Sequence, residues 1–179
     1  MRILAQLPGS VLWLLEDNHE AADNLRRSAQ RRDIEGDRLV FAPRLPPQEH
    51  LARHALADLF LDTLPYNAHT TASDALWAGL PVLTRIGSTF PGRVAASMLR
   101  AVGLPELVTE SEDEYEALAL SLARDPQRLS DLRATLKESR LDAPLFDTAM
   151  TTRHLEAAYE EMVKRQRSGV PPGHFDVGG

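Results

Sequence analysis

The stretch "LFLDTLPYNAHTTASDALWAGLPVLTR", Leu59 to Arg85, reads as strand, loop, helix and strand, and this order decides the fold. "LFLDT" (Leu59 to Thr63) is a short apolar run of strand type, and "PVLTR" (Pro81 to Arg85) is another. Between them, helical spacing begins at Thr70 or Thr71. It stops at Gly79, a C-cap residue, and Pro81 blocks any continuation. Two strands joined through a helix form a parallel pair, because a parallel connection needs a crossover.

The pattern repeats on both sides. Upstream, "SVLWLLE" (Ser10 to Glu16) is near-continuously apolar, as expected of a parallel strand buried on both faces. A charged helix follows over Asp23 to Arg32, then a strand over Arg38 to Ala42. Pro47 opens a helix to Ala57, since proline at the first turn loses no hydrogen bond. Downstream come a helix over Arg93 to Val102 ended by Gly103, and a short strand over Glu106 to Thr109. Ser111 is an N-cap candidate for a helix over Asp113 to Arg124. Two more helices are predicted, Pro126 to Arg140 and Thr148 to Arg167. Alternating strands and helices give an α/β fold with a Rossmann-like, doubly wound parallel sheet and C-terminal helices. We expect one domain over 1–179: a core with packed helices over 1–146, a helix over 147–167 and a tail over 168–179.

Composition narrows the function. The formal charge is -6, which disfavours binding along a nucleic-acid backbone. There is no cysteine, so a disulfide framework and a Cys-ligated zinc site are both excluded. No apolar run approaches the ~20 residues of a membrane span, and no signal peptide opens the chain. The expected location is cytoplasmic. The only lysines are Lys137 and Lys164, so the first 136 residues hold no lysine chemistry.

In a doubly wound sheet, ligands sit beyond the carboxyl ends of the strands, where loops enter helices. His69, Thr70 and Thr71 lie there, after "LFLDT". Free N–H groups at a helix start favour an anion. Two hydroxyls and an imidazole add donors, and Asp74, one turn in, suits sugar hydroxyls. The set reads as a nucleoside-diphosphate cradle. The competing reading is a capping box, Thr71 to Asp74, in which the acid only returns a bond to the cap. His50 and His54, spaced i, i+4, have metal-ligand spacing but no Glu between them, and a polar helix face is the better reading. Arg93 reads equally as a crevice residue or a solvated one.

"LADLFLDTLPYNAHTTASDALWAGLPVLTRIGSTFPGRVAASMLRAVGLPELV", with "LPGSVLWLL" and "DRLVFAPRLPPQEHLAR" before it, resembles the C-terminal catalytic half of the O-GlcNAc transferase and SPINDLY-like family. "SRLDAPLFDT", "HLEAAYEEMV" and "PPGHFDV" resemble the family's ending, so the likeness covers essentially the whole chain. It implies one half of a GT-B fold and an inverting, metal-independent transfer of N-acetylglucosamine from its UDP donor to Ser or Thr. In SPINDLY-type members the sugar is fucose from its GDP donor. It implies further that His69, Thr70 and Thr71 hold the diphosphate, that Asp74 contacts the ribose, and that Leu45 and His50 contact the base. Pro47 departs from the pattern, since the family usually carries a ribose-contacting lysine there.

The resemblance implies no cofactor and no metal beyond the nucleotide-sugar. The implied partners are that donor, a protein acceptor, the N-terminal catalytic domain and a TPR region; nucleic acid and membrane are not expected. No catalytic residue is expected within this chain. The family's leaving-group lysine lies on a strand and helix that would precede Met1, so the first strand is expected to be missing from the sheet. "VLWLL" and "LFLDT" would then face each other across a slot, which "RILAQL" (Arg2 to Leu7) fills poorly. The chain thus reads as a fragment, inactive alone. A non-enzymatic nucleotide-sugar-binding or interaction module is an alternative, as is another GT-B enzyme such as an epimerase-like protein. The "HTTASD" and "GRVAAS" blocks argue against the latter.

Overall fold

The computed structural model describes residues 1–177. Five parallel strands alternate with helices: α1 (Arg2–Gln6), β1 (Leu12–Leu15), α2 (His19–Gln30), β2 (Leu39–Ala42), α3 (Pro47–Arg53), β3 (Phe60–Leu61), α4 (Thr70–Trp77), β4 (Val82–Arg85), α5 (Val94–Ala101), β5 (Val108–Thr109), α6 (Glu112–Ala123), α7 (Pro126–Ser139) and α8 (Thr148–Arg167). Stops fall where the sequence put them: Gly79 and Gly103 take φ +81° and +77° just past α4 and α5. Such angles suit glycine because it has no Cβ to clash.

The strands form two ladders. β1 pairs with β2, Leu12 opposite Leu39, and β3–β4–β5 forms a second sheet with Phe60 opposite Val82 and Thr84 opposite Val108. Among the described residues β1 and β3 are not bonded to each other, so the expected slot stays open. Clefts border it at both ends. One of about 520 Å³ is lined by Pro8, Gly9, Ser10 and Asp58, just before β1 and β3. The other, about 310 Å³, is lined by Ile3, Asp62, Leu64 and Tyr115.

The open slot corrects one expectation. β1 is not buried on both faces: its first three residues are half-buried and Leu15 is 43% exposed. A strand with a neighbour on one side only leaves its apolar side chains partly uncovered. "RILAQL" does not become a strand either. Arg38 donates to the carbonyls of Leu4 (2.9 Å), Leu7 (2.8 Å) and Ser10 (2.9 Å), which holds this segment as a helix and turn. Gly9, at φ +83°, completes the turn. α1 then lies on α6 through Arg2 and Glu116, 2.6 Å apart.

Two hydrophobic clusters follow the same division. The larger joins α4, α5, α6 and α7 to the second sheet through Leu76, Val82, Leu99, Leu122 and Leu136. Each fully buried leucine contributes about 1.5–3 kcal/mol. The smaller holds Leu4, Ala29, Ile34 and Leu39 under β1 and β2. α8 buries no residue.

Candidate functional site

The site is built at the end of β3. Asp62 is buried, and its Oδ1 accepts the Ala68 N–H at 2.6 Å while its Oδ2 accepts the Thr84 hydroxyl at 2.6 Å. Thr109 in turn donates its hydroxyl to the Thr84 carbonyl (3.0 Å). The Tyr115 phenol donates to the Asp62 carbonyl at 2.9 Å. Burial, and then the Asp62 charge, push the phenol's pKa above its usual range, so it stays a donor. Asn67 Nδ2 donates to the Thr63 carbonyl (2.9 Å), and Asn67 N–H to the Pro91 carbonyl (3.1 Å). The loop after β3 is therefore fastened to the loop after β4. Gly92 makes that approach possible, since a Cβ there would stand 3.2 Å from the Pro65 carbonyl oxygen.

His69 is the N-cap of α4, and its side chain makes no capping bond. The amides of Ala72 and Ser73 fold back onto the His69 carbonyl at 3.1 and 3.0 Å. Those of Thr70 and Thr71 have no acceptor among the described residues. The hydroxyls of both threonines and the Asp74 carboxylate are equally without a hydrogen-bond partner there. Both threonines are exposed, and Asp74 is half-buried. The capping box is not formed: the cap lies two residues before Thr71, and Asp74 returns no bond to it. The His69 ring stacks on Tyr66 (centroids 4.8 Å apart, 18° between planes) and meets the edge of Phe90 at 6.3 Å.

α3 carries His50 within electrostatic reach of Asp74. Burial, and then His54 and Arg53, lower the pKa of His50, while the Asp74 charge pulls the other way. The histidine and the acid are thus electrostatic neighbours across 24 positions of chain. His54 departs from the polar-face reading: it is buried, with Nδ1 2.8 Å from the His50 carbonyl and its ring edge-on to His50 at 4.7 Å. Leu45 is 37% exposed on the loop between β2 and α3. Arg93 is the exposed N-cap of α5, and its side chain makes no capping bond either. Among the described residues no three His, Asp or Glu side chains gather as a metal-ligand group.

Sequence reasoning did not single out Asp62, Tyr66, Thr84 or Phe90. Asp62 carried a signal: a carboxylate closing an apolar strand is buried only if donors meet it. Neither of the two clefts described above includes Thr70, Thr71 or Asp74.

Open amides, two free hydroxyls and an imidazole thus gather beyond the carboxyl end of β3, donors of the kind an anion accepts from. Residues 1–155 match the family profile described as Glycosyl transferase family 41. The chain belongs to glycosyl transferase family 41.

Relatives of this family 41 chain include a UDP-N-acetylglucosamine--peptide N-acetylglucosaminyltransferase of Caenorhabditis elegans, 36% identical over 98% of this chain and 15% of that protein. The probable enzyme SEC of Arabidopsis thaliana is 39% identical over 98% of this chain and 18% of its own length. A probable SPINDLY enzyme of Petunia hybrida is 36% identical over 96% of this chain and 19% of its own. The chain thus spans less than a fifth of the length of these relatives. A solved point mutant of the Thermobaculum terrenum O-GlcNAc transferase superposes with a TM-score of 0.85 at 36% identity, over 90% of this chain and 32% of that one. The expected α/β fold, as one half of a GT-B enzyme, agrees with this likeness.

Proposed function

We propose that this family 41 chain, residues 1–179 as one unit, binds the nucleotide-sugar donor for a protein O-GlcNAc transferase. The observation that carries the reading is the uncapped start of α4, where Thr70 and Thr71 keep amides and hydroxyls without a partner among the described residues. In this reading His69, Thr70 and Thr71 take the diphosphate of UDP-N-acetylglucosamine, and Asp74 takes the ribose hydroxyls. His50 and Leu45 border the base. His50, held neutral at pH 7 by its lowered pKa, offers the base one donor or one acceptor according to tautomer.

Transfer joins a Ser or Thr oxygen of the acceptor protein to the anomeric carbon. The bond from that carbon to the diphosphate breaks with inversion, and the hydroxyl proton passes to a base. The leaving diphosphate carries the developing charge, and fixed N–H and O–H donors stabilise it where a metal would otherwise serve. This chain supplies those donors. In this reading the leaving-group lysine lies on the strand and helix that open this same sheet upstream, and an N-terminal catalytic domain, with TPR repeats beyond it, supplies much of the acceptor site.

Calorimetric titration of UDP, GDP and uridine tests the donor site, in the 179-residue chain and in a version extended upstream. UDP should bind the extended protein far more tightly than uridine. Equal affinities would end the cradle reading. A transfer assay on residues 1–179 should show no turnover, with activity appearing when the complementary N-terminal half is added. Robust turnover by residues 1–179 would place the catalytic groups inside the chain.

A further inference from the structure

Asp62 is the point at which three separate elements meet the donor loop. Its carboxylate ties the loop to β4 through Thr84, Thr84 is tied to β5 through Thr109, and its carbonyl is tied to α6 through Tyr115. The remaining carboxylate oxygen reaches forward to the Ala68 amide, the residue directly before His69. Asp62 is 7% exposed and has no basic partner within 4.0 Å among the described residues. A buried carboxylate without a cation is costly, and neutral donors offset only part of that cost. An apolar residue would fill the same space more cheaply, so the expense points to a task.

A carboxylate accepts at both oxygens and donates at neither. It therefore holds both the Thr84 hydroxyl and the Ala68 amide in fixed directions. The Ala68 amide is the last hydrogen-bond anchor before the helix start that carries the free donors. Anion stabilisation falls steeply when donors drift, because misplacement by about 1 Å costs orders of magnitude in rate. The α4 start has no side-chain cap of its own, so its position must be imposed from outside the helix.

We propose that Asp62 is a positioning residue for the donor diphosphate, setting the start of α4 through the Ala68 amide and locked by the Thr84 hydroxyl. This rests on the reading of Thr70 and Thr71 as the diphosphate cradle. It adds to that reading a residue which touches no substrate.

The test is the ratio of UDP to uridine affinity in the upstream-extended protein, with melting temperature measured alongside. Both ligands share the base and the ribose, so the ratio reads only the cradle, and a merely structural role would leave it unchanged. Asp62→Ala should lower the ratio roughly tenfold, the effect of losing one well-placed hydrogen bond to a charged group. Asp62→Asn should restore it, because the amide oxygen still accepts from Ala68 and the NH2 group donates to Thr84. Thr84→Val should lower it by a smaller factor. An unchanged ratio in Asp62→Ala overturns the proposal, and so does an Asn variant as impaired as the Ala variant. If Asp62→Ala does not fold, Thr84→Val decides: a reduced ratio supports the role and an unchanged one overturns it. A wild-type protein with no preference for UDP instead removes the cradle reading on which the proposal stands.

Discussion

Two kinds of helix start lie side by side in this molecule. α2, α6, α7 and α8 each begin on a side chain that accepts a first-turn amide: Asn18, Ser111, Asp125 and Asp147. α4 and α5 begin on His69 and Arg93, whose side chains accept no first-turn amide. A side-chain cap contributes about 1 kcal/mol. The chain forgoes it at α1 and α3, which start on Met1 and Pro46, and at both helices that follow the neighbouring strands β3 and β4; the last two starts are linked through Pro91. At α2, α6, α7 and α8 one orphan amide each is satisfied from within. At α4 the amides of Thr70 and Thr71 stay open, as the proposed donor site requires.

The sharpest way to break this comparison is to replace Thr70 and Thr71 together with valine. Two hydrogen bonds to a charged group are lost, so the preference for UDP over uridine should fall by about a hundredfold. Calorimetry with both ligands measures it, and no change would mean that the open start is incidental. Asp74→Asn is the next largest. Because Asp74 caps nothing, thermal stability should stay level, while UDP and uridine should weaken together by roughly tenfold. A stability loss without an affinity loss would return Asp74 to a structural role. On the capped side, Ser111→Ala should lower Tm by about 2–4 °C, as expected for ~1 kcal/mol in a chain of this size. It should leave UDP affinity alone.

The smallest effect concerns His50. Its folded pKa lies below the unfolded one, so the unfolded chain binds more protons between the two values. Stability is fully held above the ordinary histidine pKa of about 6.5 and declines as pH falls through the lowered value. His50→Gln should therefore lose less stability than wild type between about pH 7.5 and pH 5.5, as followed by denaturant midpoints. An equal loss in both proteins would remove His50 from the account.

Legibility in the sequence followed the range of the physics. Pro47, Gly79, Gly103 and Ser111 act on their own turn, and the helix ends they mark appear within one or two residues of expectation. α3 is shorter than read, because its last turn tightens into a 3-10 turn over His54–Leu56. α2 starts four residues early because Asn18 caps it, accepting from Ala21 at 2.7 Å. β3 shrinks from a five-residue pattern to Phe60–Leu61, since hydrophobicity reports an extended run but not how much of it is paired. His69, Thr70, Thr71 and Asp74 could be grouped because they share one helix start. The electrostatic influence of Asp74 on His50, and the bond from Asp62 to Thr84 across 22 positions, depend on the tertiary fold. No periodicity records either one.

The interrupted sheet also bears on how the molecule comes apart. Cooperative unfolding requires that one part cannot open without exposing the core of another. Here the four buried residues beneath β1 and β2 form a cluster separate from the fifteen that join the other sheet to its helices. Amide exchange should accordingly sort into two classes, with β1 and β2 losing protection at a lower free energy than β4. The half that carries His69, Thr70 and Thr71 would then keep its shape while the other half breathes.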